Sequence, residues 1–273
     1  MDVILGNNRQ LGRMAWPDAQ KELESGSVVI IPIGSVEQHG PHMPLGTDFY
    51  IADKLGKMVA ERCENCLVAP TIPYGFAEYH SDFGGTASVE RQETLKAYIE
   101  EIVNHFALHG TTHVLFINSH GGNMGVLDYL CHDLRKRGVL AATVLWWDVI
   151  SRKDPARSPA GHGDWIEISL MLAMDESTVD MTKAKNPVAK SLNHDKVTLV
   201  TPHELEYDGV PIHIRLRTKD FSDTGDMPEP GLTPEGDPNV PVSEGNADLG
   251  NELYELVTSF IVDFVPEFAE IEL

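Results

Sequence analysis

Residues 27–48 read SVVIIPIGSVEQHGPHMPLGTD, and this stretch combines a strand, a loop and the start of a helix. Its first part, residues 27–33, is a continuous apolar run rich in β-branched side chains, which is typical of a strand buried on both faces. A loop rich in Gly, Pro and His follows, and a helix with apolar residues at every fourth position is predicted from Thr47. A buried strand, a loop and a helix form the repeating unit of an α/β sheet.

The same unit recurs further along the chain. Apolar runs at 66–69, 112–117 and 140–146 are predicted strands, and amphipathic helices are predicted between them and after residue 164. Alternating strands and helices predict a largely parallel sheet flanked by helices. We therefore expect a single α/β domain over residues 1–273, a length at the upper end for one hydrophobic core.

The last third of the chain reads differently. Residues 197–200 and 210–216 are candidate strands, and a final helix is predicted over 246–262. Between them, residues 220–242 form an acidic stretch rich in Pro and Gly with little apolar content. Long loops of this kind are either disordered or functional, as lids or subunit contacts.

Composition excludes several classes of function. The net charge is −21, from 21 Lys and Arg against 42 Asp and Glu, which argues against nucleic acid and anionic membranes as partners. A negative field favours cations and neutral solutes. No run approaches the ~20 apolar residues that span a bilayer. The first residues lack the pattern of a signal peptide, and three cysteines are too few for a disulfide framework. These features predict a cytoplasmic protein.

Polar side chains follow two of the predicted strands. Ligands of a parallel α/β sheet collect at the carboxyl ends of its strands, so two such loops meet if their strands are neighbours. The loop after the third strand carries His120, followed by two glycines that let the backbone approach a ligand closely. The loop after the first strand carries Glu37, His39, His42 and Asp48.

This mixture of carboxylates and imidazoles favours Zn, Mn or Fe over Ca or Mg. Asp48 has two oxygens and can bridge two ions, and without a thiolate nearby a catalytic site is expected rather than a structural one. Each residue also has a simpler interpretation, such as a charge at a helix N-terminus for Asp48 or a hydrogen-bonded turn for His120. The cluster as a whole favours metal binding.

A third cluster lies in GHGDWIEIS, residues 161–169. His162 precedes a predicted helix and is a candidate for proton transfer. Asp164 and Glu167 match a capping box, so Glu167 is either structural or functional. A serine hydrolase is excluded, because Ser119 adjoins His120 in sequence and G-x-S-x-G is absent.

Three segments, IPIGSVEQHGPHMPLGTD, NSHGGN and GHGDWIEISLML, resemble the creatininase (creatinine amidohydrolase) family, with weaker similarity in YHSDFGGTAS and EGDPNVPVSEGNADLG. The resemblance runs from about residue 27 to residue 250. It implies a three-layer α/β/α sandwich with a mostly parallel, mixed sheet. It also implies homo-oligomers, often hexamers.

The resemblance carries functional residues over by position. A Glu that binds metal in creatininases proper is replaced here by Gly122, so Glu167 is expected to complete the second metal site. The catalytic His of the family falls on His162, and Glu167 is counted with it as catalytic. The family's other metal-binding positions fall on Glu37, His39, Asp48 and His120.

The implied mechanism uses two divalent ions, Zn, Mn or Fe, to activate a water that attacks a carbonyl carbon. His162 then gives a proton to the leaving group. Our first hypothesis is hydrolysis of a small cyclic amide, as in a creatinine amidohydrolase. The alternative is carbon–carbon ring opening of a cyclic polyol diketone such as 3-dehydro-scyllo-inosose, and a third hypothesis is a non-catalytic metal- or sugar-binding protein.

Five residues are candidates for lining the substrate pocket: Tyr79, His80, Phe83, Trp146 and Trp147.

Overall fold

A four-stranded parallel sheet forms the centre of the protein. The computed structural model describes residues 9–157, 161–186, 190, 194–201, 203–225 and 241–272. The strand order is β2-β1-β3-β4, so the first predicted strand lies inside the sheet next to the third. The strands are β1 (Val28–Ile33), β2 (Cys66–Val68), β3 (His113–Asn118) and β4 (Leu140–Leu145).

Helices cover both faces of this sheet. The helices of the described residues are α1 (Trp16–Glu24), α2 (Thr47–Arg62), α3 (Gln92–Leu108), α4 (Met124–Arg135), α5 (Trp146–Lys153), α6 (Trp165–Met174), the short α7 (Thr218–Phe221) and α8 (Ala247–Ala269). Side chains alternate between the faces along β1, because successive residues of a strand point to opposite sides. Val28 and Ile30 pack with α2, α5, α6 and α8, whereas Val29 and Ile31 pack with α3 and α4.

This arrangement confirms the three-layer α/β/α architecture. Every residue of β1 is buried, as the unbroken apolar run predicted. The most extensive helix pair is α6 with α8, and α6 also packs against α2. Because α6 lies between two helices, most of its surface is buried and apolar.

Among the described strands, antiparallel pairing lies in a separate meander and not in the central sheet. Its strands are β5 (Val197–Thr201), β6 (Glu204–Tyr207) and β7 (Val210–His213). Asp208 and Gly209, with φ of 52° and 72°, make the turn between β6 and β7, which suits a two-residue hairpin. Register places six apolar side chains on one face: Val197, Leu199, Leu205, Tyr207, Val210 and Ile212.

The remaining predictions from sequence had mixed outcomes. The predicted last helix continues to Ala269, and residues 226–240 of the predicted acidic loop lie outside the described residues. Residues 220 and 221 at the start of that stretch belong to α7, which ends at Phe221. The sequence also missed α1, α5 and β6. Within the described ranges, no helix combines the length and the apolar character that crossing a bilayer requires.

The contact between α6 and α8 depends on a glycine. A Cβ at Gly250 of α8 would fall on the carbonyl of Ser169 in α6. We expect Gly250→Ala to lower the free energy of unfolding by about 1–3 kcal/mol, because overpacking outweighs the better helix propensity of Ala. Gly125 of α4 has nothing within 4 Å of its Cβ position, so Gly125→Ala is the matched control. Urea unfolding followed by circular dichroism measures both, and equal stability of the two variants would contradict this packing account.

Candidate metal centre

The chemistry-bearing residues of three separate segments meet at the carboxyl edge of the central sheet. Glu37 and His39 follow β1, Asp48 lies in the first turn of α2, and His120 follows β3. Glu167 lies in the first turn of α6, with His162 just ahead of that helix. The structure therefore brings together all six residues that the sequence proposed as metal ligands or catalytic groups: Glu37, His39, Asp48, His120, His162 and Glu167.

Three overlapping groups of ligand atoms form this cluster, and within each group the atoms lie within 4.8 Å of one another. The first two share the carboxylate of Asp48, which therefore stands between two candidate ion positions. The third group has His162 facing the same space. The groups are Glu37 with Asp48 and His120; His39 with Asp48 and Glu167; and Glu37 with His39 and His162.

Close backbone approaches hold these segments together. A Cβ at Gly34, directly after β1, would lie 2.6 Å from the carbonyl oxygen of Asp48, so only glycine lets the strand end pass the start of α2. The buried Asn123 ties three loops. Its Nδ2 donates to Gly34 O (3.1 Å) and to Asn118 Oδ1 (3.2 Å), while its Oδ1 accepts from Phe76 N (3.0 Å).

Backbone carbonyls orient the two imidazoles of the centre. His39 Nδ1 donates to the carbonyl of Glu37 at 3.1 Å, so its Nε2 lone pair points inward, 3.1 Å from Asp48 Oδ1. His120 Nε2 donates to the carbonyl of Phe76 at 2.9 Å. Its Nδ1 lies 3.0 Å from Glu37 Oε2 and 3.2 Å from Asp48 Oδ2. Metal-binding histidines are held by their outer nitrogen in this manner.

The inward contacts require a cation between the two partners. A neutral imidazole whose outer nitrogen carries the proton has only a lone pair on the inner nitrogen, and a carboxylate oxygen is also an acceptor. Both oxygens of Glu37 and Oδ2 of Asp48 are buried and have no hydrogen-bond partner among the described residues. Either a proton or a metal ion must separate such groups, and the donor set fits divalent ions that prefer nitrogen and oxygen ligands.

In the absence of metal, the pKa values of the clustered side chains show that the site favours positive charge. Burial lowers the pKa of His39, but the carboxylates of Asp48 and Glu167 outweigh it and raise that pKa to about 10. Burial also lowers the pKa of His120, but the interactions with Glu37, Tyr79 and Asp48 together outweigh it and hold that pKa well above its usual value. Burial would raise the pKa of Asp48, but His39 and His120 hold it well below its usual range. Protons on the imidazoles thus balance the carboxylates.

Glu167 lies at the centre rather than in a capping box. The carboxylate of Asp164 caps α6 by accepting from the N–H groups of Ile166 and Glu167, both at 3.0 Å. Glu167 Oε2 instead accepts from Gly163 N (2.7 Å) and lies 3.7 Å from His39 Nε2. Burial, which outweighs the charge of His39, raises the pKa of this carboxyl to about 8.

Position 122 has no room for a ligand side chain. A Cβ on Gly122 would collide with Phe76 O and with the His120 ring, and it would lie 2.8 Å from Tyr79 Oη. The surrounding loop therefore requires a glycine at this position. Glu167 offers the carboxylate that a residue at position 122 cannot.

His162 lies at the outer rim of the cluster. Its side chain is 14% exposed, whereas that of Glu37 is fully buried. His162 Nε2 donates to the carbonyl of Gln38 at 2.7 Å, and its Nδ1 lies 3.6 Å from Glu37 Oε1. Burial and then the neighbouring His39 hold the pKa of His162 well below its usual value. The imidazole is therefore neutral, with the Nδ1 lone pair facing the cluster.

Other candidates from the sequence lie beside the centre or away from it. His42 is buried and its Nε2 lies 3.1 Å from the carbonyl of Gly163, so it contacts the loop that carries His162. Ser119 accepts a hydrogen bond from the indole of Trp146 at 3.0 Å, and no nucleophile geometry is formed there. Tyr79 lies next to the centre, with its hydroxyl 3.5 Å from His120 Nε2.

Sequence reasoning missed part of the surroundings. The Gln38 side chain contacts the rings of His80 and His162 and the carbonyl of Gly225, and Thr218 also contacts His80. No spacing rule connects these positions, because they lie up to 187 residues apart along the chain. Gln38 itself lies within the most specific motif, between two predicted ligands.

Comparisons with known proteins identify the family of this chain. Residues 12–265 match the family model described as Creatininase: Creatinine amidohydrolase. The chain is 30% identical to the creatinine amidohydrolase of Pseudomonas putida over 197 residues, or 63% of this chain and 74% of that protein. It is 39% identical to the mycofactocin precursor peptide peptidase of Mycobacterium ulcerans over 136 residues, covering 47% of this chain and 54% of that protein.

A third relative is the 3-dehydro-scyllo-inosose hydrolase of Thermotoga maritima, which is 28% identical over 172 residues, 59% of this chain and 54% of that protein. Among solved structures, a mutant creatininase of the "Zn-Zn type" superposes with a TM-score of 0.68 at 24% identity, covering 97% of this chain and 99% of that one. This structural similarity shows a shared fold. From the match over most of its length, the chain belongs to the creatininase family and is a hydrolase.

Proposed function

We propose that this hydrolase binds two divalent ions, Zn, Mn or Fe, and cleaves the carbon–nitrogen bond of a small cyclic amide. One ion would be held by Glu37, Asp48 and His120, and the other by His39, Asp48 and Glu167. The observation that carries the proposal is the set of buried contacts between inward imidazole nitrogens and carboxylate oxygens around Asp48. The structure of a Zn-containing creatininase is consistent with these metals.

When bound, such ions lower the pKa of water and polarise a carbonyl, which supplies the nucleophile and activates the substrate. The protein residues supply position and charge. Asp48 would hold both ion positions at a fixed separation because both of its oxygens lie inside the cluster. Glu167 is itself held by Gly163 N, so its carboxylate has one preferred orientation.

His162 would transfer the proton that amide hydrolysis requires. Its Nε2 is occupied by the carbonyl of Gln38, so only Nδ1, which faces the cluster, can exchange a proton with substrate. Water adds to the carbonyl carbon, the carbon–nitrogen bond breaks, and the amine must leave with a proton. Nδ1 would accept a proton from the attacking water and give it to the leaving nitrogen.

The charge of the chain supports a neutral, polar substrate. At a net charge of −21 the protein repels polyanions, so neither nucleic acid nor an anionic membrane is a proposed partner. A relative named creatinine amidohydrolase supports a cyclic amide, and one named as a peptide peptidase supports carbon–nitrogen cleavage in general. Tyr79, at the rim beside His120, is the proposed pocket residue with the clearest position.

A second candidate is carbon–carbon ring opening of a cyclic polyol diketone such as 3-dehydro-scyllo-inosose. The Thermotoga maritima relative with that activity in its name favours it. The same activated water and the same proton transfer would serve, with carbon as the leaving atom. The third hypothesis, a non-catalytic binding protein, is set aside because the relatives named above are enzymes.

The metal proposal has a thermodynamic test. After removal of metal, we expect about two equivalents of Zn or Mn to bind at about pH 7.5, with release of two to three protons, since His39 and His120 are protonated and Glu167 has a pKa of about 8. Raising the pH should strengthen binding, because protons compete for the same atoms. Calorimetry in buffers of different ionisation enthalpy, with elemental analysis, measures both quantities.

Asp48→Asn keeps the size of the side chain and removes its charge, so we expect it to lose both ions. Exposed Asp18 of α1 gives the matched control, and Asp18→Asn should bind as the wild type does. Absence of binding to the wild type after reconstitution, or binding without proton release, would contradict the proposed centre.

The reaction itself is tested on a panel of creatinine, other cyclic amides, short peptides and cyclic polyol ketones. A freed amine identifies carbon–nitrogen cleavage, and a linear keto acid without nitrogen identifies ring opening. His162→Ala should retain both ions but lose about 10²–10⁴ in kcat, the usual contribution of a positioned acid–base group. A normal kcat in that variant would remove His162 from the mechanism.

We also propose that the chain forms a homo-oligomer. The apolar face of the meander supports this, since Tyr207, Val210 and Ile212 are 49%, 54% and 46% exposed. Light scattering of the purified protein should give a multiple of 30.1 kDa, and Ile212→Lys should lower it. A monomeric mass for the wild type, at high salt as well as low, would contradict the proposal.

A further inference from the structure

A buried histidine outside the proposed ligand set contacts one of the ligands. His80 ends a short 3-10 turn at Glu78–His80, is 1% exposed, and has its Nε2 3.3 Å from Glu37 Oε1. Its ring stacks on that of His162, with centroids 4.4 Å apart and planes 14° apart. Which nitrogen of His80 carries the proton decides whether it can donate to Glu37.

The amide of Gln38 has a fixed orientation. Its Oε1 accepts from Gly40 N at 3.0 Å, and its Nε2 donates to the carbonyl of Gly225 at 2.7 Å. A flipped amide would place an NH₂ group against an N–H and an oxygen against a carbonyl. Two independent neighbours therefore assign the nitrogen and oxygen of this side chain.

Counting hydrogens then assigns the proton on His80. Gln38 Nε2 has two hydrogens but three close neighbours: Gly225 O, His80 Nδ1 and His162 Nε2, the last two at 3.0 Å. His162 Nε2 already donates to the backbone carbonyl of Gln38, so it cannot accept. The second hydrogen goes to His80 Nδ1. Thr218 Oγ1, at 2.7 Å from the same nitrogen, can also donate to it.

The remaining proton of neutral His80 is then on Nε2, the nitrogen that faces Glu37. The two oxygens of Glu37 have different neighbours as a result. Oε1 faces His80, whereas Oε2 faces His120 Nδ1 at 3.0 Å.

We propose that His80 is a positioning residue whose Nε2–H, 3.3 Å from Glu37 Oε1, forms a hydrogen bond with that oxygen once an ion is bound and leaves Oε2 as the single metal-binding oxygen of that carboxylate. Gln38 sets the tautomer of His80 on which this depends. The inference rests on the proposed metal centre. Partners of this kind typically change metal affinity by about 10–100-fold, because they fix the orientation of a ligand.

The test measures metal affinity by competition with a chelator, and not activity. His80→Phe keeps a planar ring that can stack on His162 but removes the donor, and His80→Gln restores an N–H group. We expect His80→Phe to lower the affinity for one of the two ions by about 10–100-fold. Glu37→Gln should lower the affinity for the same ion. Glu167→Gln should instead lower the affinity for the other ion. His80→Gln should recover part of the loss.

Exposed His105 of α3 provides the control, and His105→Phe should bind both ions as the wild type does. Unchanged affinity for both ions in His80→Phe, or equal loss at both, would overturn the inference. A wild type that binds no metal would overturn the proposed function instead.

A second measurement does not require the His80→Phe variant to fold. In ¹⁵N-histidine-labelled wild-type protein, the chemical shifts and long-range couplings of His80 should show a protonated Nε2 and an unprotonated Nδ1. Gln38→Leu, which removes the amide, should lose or broaden this pattern while circular dichroism stays unchanged. A protonated Nδ1 in the wild type would contradict the assignment directly.

Discussion

Three carboxylates, those of Glu37, Asp48 and Glu167, share a space from which water is almost excluded, and the rest of the centre depends on how this charge is balanced. Bringing an ionised carboxylate out of water costs several kcal/mol unless a positive partner compensates it. Without metal, His39 and His120 compensate by keeping protons at elevated pKa values. The proposed ions would take over that role by displacing those protons. Folding and the proposed metal binding would thus be coupled through the same few atoms.

The parallel sheet makes this concentration of charge possible. Because β1 and β3 are adjacent and parallel, the loops that follow them open at the same edge, and α2 and α6 direct their first turns to it. Small details then fix the geometry at the level of single atoms. Gly34 lets the end of β1 approach Asp48, and Asn123 joins the loops after β1 and β3. Backbone carbonyls, which cannot be read from side-chain types, orient both imidazoles.

The sequence predicted the central strands well, because a strand buried on both faces is an unbroken apolar run, as in VVIIPI of β1. It predicted the six residues of the centre because their types are suited to metal and they follow strands. It missed α5, since WW reads as the continuation of a strand, and β6, whose four residues ELEY are too short for a clear pattern. It gave His80 only as a pocket residue. The contacts of Gln38 and Thr218 with that ring arise from tertiary structure alone, across 42 and 138 residues.

Membership of the creatininase family leaves the substrate open, because relatives with different named substrates align with the same chain. In this chain the glycine at position 122 admits no side chain, and the carboxylate of Glu167 faces the same cluster. The central claim is that Asp48 stands between two ions. Anomalous diffraction from crystals of the metal-loaded protein tests it most directly. We predict two peaks that share Asp48, one beside His120 and one beside Glu167, whereas a single peak, or none within reach of Asp48, would contradict it.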